Sequence, residues 1–107
     1  MDILTELFAT VAARRDDPQE GSYTAYLFRE GTDKILKKCG EEAAEMIIAA
    51  KNKDKSELIA ETSDLLYHVL VLLKNEGVEL ADVYAELTRR HQKTGNLKQM
   101  KTVDKNT

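Results

Sequence analysis

Two long stretches with helical periodicity, separated by only four polar residues, constrain the fold of this chain more than any other feature. The first stretch follows Thr32 and repeats apolar residues at helical spacing as far as Ala50. The second follows Ser56 and repeats them as far as Leu73. We expect Thr32 and Ser56 to cap these helices. A connection as short as Asn52–Lys55 requires the two helices to pack side by side in opposite directions.

The rest of the chain indicates further helices and no strand-like alternation. Shorter apolar stripes begin after Asp2, Ser22 and Gly77, which are residue types typical of helix boundaries. A length of 107 residues fits one small domain. We therefore predict an all-α fold, a compact bundle of four main helices plus a short one. The predicted domain covers residues 1–91, and residues 92–107 form a polar tail.

One face of the second long helix predicts assembly with a second copy. Tyr67 and Val71 lie on the far side from its main stripe, which leaves Leu65–Leu73 apolar nearly all round. Ile48 on the first long helix also faces away from its stripe. A helix that is apolar on every side must be covered on every side, and a second copy of the chain is the simplest cover. The alternative is that the first helix and the tail wrap over that side.

Charge and composition exclude several classes of protein. The net charge is −3, and because residues 93–107 carry four lysines against one aspartate, the first 92 residues hold 12 basic against 18 acidic side chains. Such a domain has no basic stripe for nucleic acid. The single Cys39 forms no internal disulfide, which favours a reducing compartment. No signal peptide and no membrane span are visible, so a cytoplasmic location is expected.

The acidic residues of the two long helices are the candidate functional residues. Glu42 and Glu45 lie on one shoulder of the first stripe, and Glu61 and Asp64 lie on one shoulder of the second. In an antiparallel pair these shoulders can face each other, and clustered carboxylates raise one another's pKa values or need a compensating cation. Oxygen ligands select Mg²⁺ or Mn²⁺, which suits a phosphoanhydride substrate. The alternative, that these acids form only a solvated surface, stays open at this point.

Three strings of residues resemble a known enzyme family. They are Ser22-Tyr23-Thr24, the run Lys37-Lys38-Cys39-Gly40-Glu41-Glu42-Ala43-Ala44-Glu45, and Glu61-Thr62-Ser63-Asp64-Leu65-Leu66-Tyr67-His68. They resemble the phosphoribosyl-ATP pyrophosphatases of histidine biosynthesis, over roughly Asp2 to His91. The wider kin are the MazG-like all-α nucleotide pyrophosphatases, which share Glu-Glu-x-x-Glu followed by Glu-x-x-Asp. In bacteria this activity is often fused to a cyclohydrolase domain, and this chain looks like the stand-alone form.

The resemblance implies hydrolysis of the α–β phosphoanhydride of phosphoribosyl-ATP, giving phosphoribosyl-AMP and pyrophosphate. It implies Mg²⁺, with Mn²⁺ as a substitute, bound by the four carboxylates of Glu42, Glu45, Glu61 and Asp64. Glu41 is the candidate for orienting or deprotonating the attacking water. The candidates for binding phosphate or substrate are Lys37, Lys38, Lys51, Tyr23 and His68. The expected partners are a small-molecule nucleotide and further copies of the chain, with no nucleic acid and no membrane.

Rival functions remain at this stage. A general house-cleaning nucleoside triphosphate pyrophosphatase would use the same metal site. A non-catalytic helical dimerisation module would explain the apolar helix but not the acids beside its stripe. A ferritin-like di-iron bundle needs Glu-x-x-His on two helices. The residues three positions before the two histidines are Leu65 and Thr88, so the sequence excludes a di-iron site of this kind.

Overall fold

The computed structural model describes residues 2–93. Within that range the chain forms five helices and no strand, which confirms the all-α prediction. The helices are α1 (Ile3–Asp16), α2 (Tyr23–Glu30), α3 (Thr32–Lys51), α4 (Lys55–Asn75) and α5 (Leu80–His91). None of the helices in this part of the chain is long and apolar enough to cross a membrane. The predicted tail lies outside the described residues from position 94 onward.

Two of the predicted helix starts are confirmed. The Asp2 side chain accepts a hydrogen bond of 2.9 Å from the backbone N–H of Thr5 and begins α1. The Ser22 hydroxyl oxygen accepts one of 3.1 Å from the backbone N–H of Ala25 and begins α2. Both contacts satisfy N–H groups that have no partner within a helix.

The predicted caps of the two long helices are wrong. Thr32 is the first residue of α3 rather than its cap, and Gly31 precedes it with a φ of 93° that favours glycine. The Thr32 hydroxyl instead accepts a hydrogen bond of 2.9 Å from the Asn75 amide at the end of α4. Ser56 lies inside α4, which Asp54 caps by accepting a backbone N–H of the first turn. A carboxylate two residues earlier provides the acceptor that we had assigned to Ser56.

The core lies where α1 and α2 pack against the α3–α4 hairpin. Val71 is fully buried in this core and Tyr67 is half-buried beside it. The prediction that a partner must cover these two residues is therefore wrong, because within one chain α1 packs against α4 around Val71, and Tyr67 contacts Tyr23 and Thr24 of α2. The central cluster consists of Val11, Leu27, Ile35, Leu70, Val71 and Leu80.

The α3–α4 hairpin has two contrasting flanks. Leu36 and Ile47 on α3, and Ile59 and Leu66 on α4, are large apolar side chains exposed to solvent. At about 100° per residue, each pair falls on one flank of its helix, opposite the acidic flank that carries the candidate site. We call these four residues the apolar flank of the hairpin. Ile48 is also exposed, as its position outside the stripe predicted.

Candidate active site

The antiparallel hairpin brings acids from α3 and α4 together. One carboxylate oxygen from each of Glu42, Glu45 and Glu61 lies within 4.8 Å of the other two. Asp64 is exposed and lies next to Glu42, close enough for a hydrogen bond between the two carboxyl groups. The structure thus brings three of the four predicted ligands into one cluster and places Asp64 beside Glu42; Glu42 is buried, Glu61 is half-buried, and Glu45 and Asp64 are exposed.

Two oxygens of this cluster are buried without a hydrogen-bond donor. Glu42 is 8% exposed, and its Oε1 lies against His68 without forming a well-oriented hydrogen bond. Oε2 of Glu61 is also buried and has no partner among the described residues. A buried carboxylate oxygen without a donor or a cation is destabilising. Within the described residues, the cluster thus lacks hydrogen-bond donors where its oxygens are least hydrated.

Burial and neighbouring charge change the acidity of Glu42. Loss of hydration, followed by repulsion from Asp64 and a hydrogen bond with it, raises the pKa of Glu42 from 4.5 to about 7. The ammonium group of Lys38 acts in the opposite direction and lowers this pKa. Without a cation, Glu42 is consequently protonated in a large fraction of molecules at neutral pH.

Glu61 also has acidic neighbours, one on each of the two long helices. Protonated Glu61 can donate a hydrogen bond to the carboxylate of Glu45 or of Glu57, and this bonding, together with burial and repulsion from both, raises its pKa from 4.5 to about 7. Glu57 lies one helical turn before Glu61 on α4. The candidate ligands named from the sequence do not include Glu57, although its distance of four residues from Glu61 places it on the same face of the helix. Its spacing was the signal that would have found it.

A pocket of about 230 Å³ opens beside this cluster, toward the connection between the two helices. Glu45, Glu57 and Glu61 supply its carboxylates, and Asn52 and Asp54 come from the connection. The remaining lining residues are Ile48 and Ala49. Pockets that enclose a whole small-molecule ligand typically measure about 300–1,000 Å³. This pocket therefore holds only part of a nucleotide-sized molecule.

His68 and Tyr23 extend the site on the other side of Glu42. His68 is 6% exposed, and its Nδ1 lies 2.9 Å from the backbone carbonyl oxygen of Asp64 and in contact with Glu42 Oε1. Its Nε2 lies 3.0 Å from the hydroxyl of Tyr23, a side chain that is 44% exposed. Burial lowers the pKa of His68, which keeps its ring neutral. Since a carbonyl only accepts, Nδ1 carries the proton and Tyr23 donates to Nε2.

The remaining predicted residues separate into two groups. Lys38 is half-buried, and its charge acts on both Glu42 and His68. Glu41, Lys37 and Lys51 are exposed. Within residues 2–93, no hydrogen bond or ion pair joins these three to the carboxylate cluster. The roles assigned to them from the sequence stay predictions.

The donor set fits a hard divalent cation. Every candidate ligand atom is a carboxylate oxygen, which suits Mg²⁺ or Mn²⁺ better than zinc or copper. A cation at this position would also satisfy the buried oxygen of Glu61, which has no donor in the described part of the chain. The geometry thus supports a metal site and is harder to explain as a solvated surface.

Comparison with known proteins agrees with this geometry. Residues 4–91 match the family described as phosphoribosyl-ATP pyrophosphohydrolase. The chain belongs to this family. The resemblance found in the sequence is thereby confirmed, and the matched range contains all of the acidic cluster.

Individual relatives are similar over most of the chain. A protein of Listeria monocytogenes serotype 4a named phosphoribosyl-ATP pyrophosphatase is 51% identical over 102 residues, which are 95% of this chain and 98% of that protein. A protein of the same name from Clostridium botulinum is 49% identical over 105 residues, 97% of this chain and 96% of that protein.

Longer relatives contain a similar region within a larger chain. The histidine biosynthesis bifunctional protein HisIE of Oceanobacillus iheyensis is 55% identical over 91 residues, which are 85% of this chain. This chain spans 42% of the length of that relative and 45% of the corresponding protein of Caldanaerobacter subterraneus.

Proposed function

We propose that this chain hydrolyses the α–β phosphoanhydride of phosphoribosyl-ATP, an early step of histidine biosynthesis. Water adds to one phosphorus, the bridging P–O bond breaks, and the products are phosphoribosyl-AMP and pyrophosphate. The single observation that carries this proposal is the carboxylate cluster of Glu42, Glu45 and Glu61 within the matched region. Relatives named for this activity extend over almost the whole chain, which supports the proposal.

Mg²⁺ is the proposed cofactor, with Mn²⁺ as a substitute. Glu42, Glu45, Glu61 and Asp64 would hold it, since they offer only oxygen ligands and include a buried oxygen with no other partner. When bound, such a cation neutralises phosphate oxygens and makes a coordinated water more acidic. The protons that Glu42 and Glu61 retain near neutral pH would have to leave before the cation is fully ligated.

Two carboxylates outside the four ligands are candidates for orienting the attacking water. Glu57 lines the pocket and lies within hydrogen-bonding reach of Glu61. Glu41 is exposed and does not line that pocket. A general base must lie within hydrogen-bond reach of the proton it removes, directly or through one water. The geometry therefore favours Glu57 over Glu41, the residue that the sequence suggested.

Lys38 and Tyr23 are the proposed contacts to the substrate. Lys38 is half-buried beside Glu42, so its ammonium group can bind phosphate oxygens next to the carboxylates. The ring of Tyr23 is exposed, and its hydroxyl lies 3.0 Å from Nε2 of His68. Lys37 and Lys51 are exposed and remain weaker candidates for the same task.

A second copy of the chain is the proposed protein partner. The pocket of about 230 Å³ is too small to enclose a nucleotide. The apolar flank (Leu36, Ile47, Ile59 and Leu66) leaves large hydrophobic side chains in contact with water. Packing two hairpins through this flank would bury those side chains.

The reaction is tested by measuring pyrophosphate release from phosphoribosyl-ATP and, in parallel, from each canonical nucleoside triphosphate with Mg²⁺ present. We expect rapid release from phosphoribosyl-ATP alone, with phosphoribosyl-AMP as the other product. Comparable release from several canonical triphosphates would instead identify a house-cleaning pyrophosphatase. No release from any substrate by a folded, metal-bound protein would contradict both enzymatic functions.

A further inference from the structure

His68 differs from the other residues of the site because it is buried but lies between two functional groups. Of the two histidines of the chain, His68 is 6% exposed whereas His91 is exposed. Both ring nitrogens of His68 are occupied by protein atoms, namely the Asp64 carbonyl on one side and the Tyr23 hydroxyl on the other. A residue enclosed in this way has no free polar atom for a substrate, so its role lies elsewhere.

We propose that His68 is a positioning residue, which holds the Glu42 carboxylate in its metal-binding orientation and links it to the exposed Tyr23. This inference rests on the proposed function, since it takes Glu42 to be a metal ligand. It gives His68 a different task from the substrate contact that the sequence suggested.

The contact of Nδ1 with Glu42 restricts the position of that carboxylate. Oε1 of Glu42 is buried, and apart from His68 it has no hydrogen-bond partner in the described part of the chain. The hydrogen bond of 2.9 Å to the Asp64 carbonyl fixes where Nδ1 lies. The imidazole thereby forms a wall that limits the rotation of the Glu42 carboxylate. Holding ligands in place before the metal arrives is what supporting residues around metal sites generally do.

Neighbouring aromatic side chains fix the orientation of the His68 ring. The His68 ring packs edge-on against Tyr67 at 5.0 Å between ring centroids and against Tyr23 at 5.8 Å. The Tyr23 hydroxyl, 3.0 Å from Nε2, holds the far end of the ring. Because Tyr23 is 44% exposed, a bound molecule that contacts it can affect the position of Glu42 through the imidazole.

Two substitutions of His68 distinguish the contribution of Nδ1 from that of Nε2. In His68→Asn the side-chain amide nitrogen takes roughly the place of Nδ1, so the contact near Glu42 is kept and the contact to Tyr23 is lost. In His68→Gln the longer side chain reaches toward the place of Nε2, so the contact to Tyr23 is kept and the one near Glu42 is lost. Tyr23→Phe removes only the hydroxyl and keeps the exposed ring.

The measurement is Mn²⁺ binding to the substrate-free full chain, followed by the spectroscopic signal of free Mn²⁺. We expect His68→Gln to weaken binding by about tenfold or more, as is typical when a residue that orients a ligand is lost. We expect a smaller loss in His68→Asn, and Tyr23→Phe to bind Mn²⁺ more weakly than the wild type. Gradual recovery of binding from Gln to Asn to His is a pattern that simple loss of packing does not produce.

The outcomes distinguish this inference from the proposed function. Absence of Mn²⁺ binding in the wild type contradicts the proposed metal site itself. Binding in the wild type with unchanged affinity in all three variants overturns the positioning role, and so does an equal loss in His68→Asn and His68→Gln. If both His68 variants fail to fold, Tyr23→Phe decides, because its surface change leaves the core intact. Unchanged Mn²⁺ affinity in that variant then overturns the proposed link from Tyr23 through His68 to Glu42.

Discussion

Glu61 on α4 lies within hydrogen-bonding reach of Glu45 on α3, although both side chains are acids. Two carboxyl groups form such a hydrogen bond only when one of them carries a proton. This explains why the pKa of Glu61 rises to about 7, so without a cation this carboxyl group keeps its proton below about pH 7 and loses it above.

The first prediction concerns the pH dependence of stability without metal. The pKa of Glu61 is 4.5 before folding and about 7 after it, so the folded state binds the proton more tightly. This contribution to the free energy of unfolding is fully present below pH 4.5 and is lost as the pH rises through 7. Glu61→Gln imitates the protonated form, so it should melt at a higher temperature than the wild type at pH 8, with a smaller difference at pH 5.

The neighbouring His68 acts in the opposite direction, because its lowered pKa favours the folded state at high pH. Comparing Glu61→Gln with the wild type at each pH removes this contribution, since both proteins contain His68. Glu41→Gln, an exposed change outside the cluster, is the control. A difference between Glu61→Gln and wild type that is equal at pH 5 and pH 8 would contradict the shared proton.

The second prediction concerns the effect of metal on stability. A ligand that binds only the folded state adds about 2.7 kcal/mol when its free concentration is a hundred times its dissociation constant. For a domain of this size each kcal/mol raises the melting temperature by roughly 4–8 °C, and by less if two chains unfold together. Saturating Mg²⁺ or Mn²⁺ should therefore raise it by several degrees, whereas Na⁺ at equal ionic strength should not. Glu45→Gln should lose most of this shift in melting temperature. A full shift in that variant would show that Glu45 is not a metal ligand.

The third prediction concerns assembly. Light scattering at micromolar concentration should give a mass of at least twice 12.1 kDa. Ile47→Glu and Ile59→Glu each place a charge on the apolar flank and should yield monomers. Ile3→Glu is a matched control, because Ile3 is 64% exposed on α1 while Ile47 and Ile59 are 64% and 69% exposed. A wild-type monomer, or equal dissociation by all three changes, would show that the flank is not an interface.

The fourth prediction concerns Lys38. This residue is half-buried, its charge acts on Glu42, and it is proposed to bind substrate phosphates. A hydrogen bond to a charged group is worth about 1.5–3 kcal/mol, so Lys38→Gln should lower kcat/KM for phosphoribosyl-ATP by about tenfold to a hundredfold. The control is Lys93→Gln, which removes an exposed lysine beyond α5. An unchanged kcat/KM in Lys38→Gln would remove Lys38 from the phosphate contacts.

Much of the fold was predictable because helical periodicity and a short connection leave few ways to pack. The hairpin follows directly from the stripes on both sides of Asn52–Lys55. The errors arose where tertiary contacts override local preference. Val71 was assigned to an uncovered face, yet α1 packs over it, and sequence spacing within α4 cannot show which other helix lies there. Asp54 rather than Ser56 caps α4, since both residue types are good acceptors at that end.

The acids of the site were predictable for the same reason, since spacing along two packed helices determines which carboxylates meet. The burial of individual atoms was not predictable. The sequence placed His68 in the acidic row and suggested a substrate contact, whereas the structure encloses it between Asp64 and Tyr23. The spacing of Glu57 from Glu61 places both on one face of α4, but only the structure shows that Glu57 lines the pocket beside the connection.

The central claim is that the carboxylates of α3 and α4 together support hydrolysis of phosphoribosyl-ATP. The most direct test is the rate of Mg²⁺-dependent pyrophosphate release by Glu42→Gln and Asp64→Asn, with circular dichroism to check that each remains helical. Glu6→Gln, an exposed change on α1, serves as the control. The account predicts that both site variants lose turnover while keeping the wild-type helical signal. Near wild-type rates in either folded variant would contradict it.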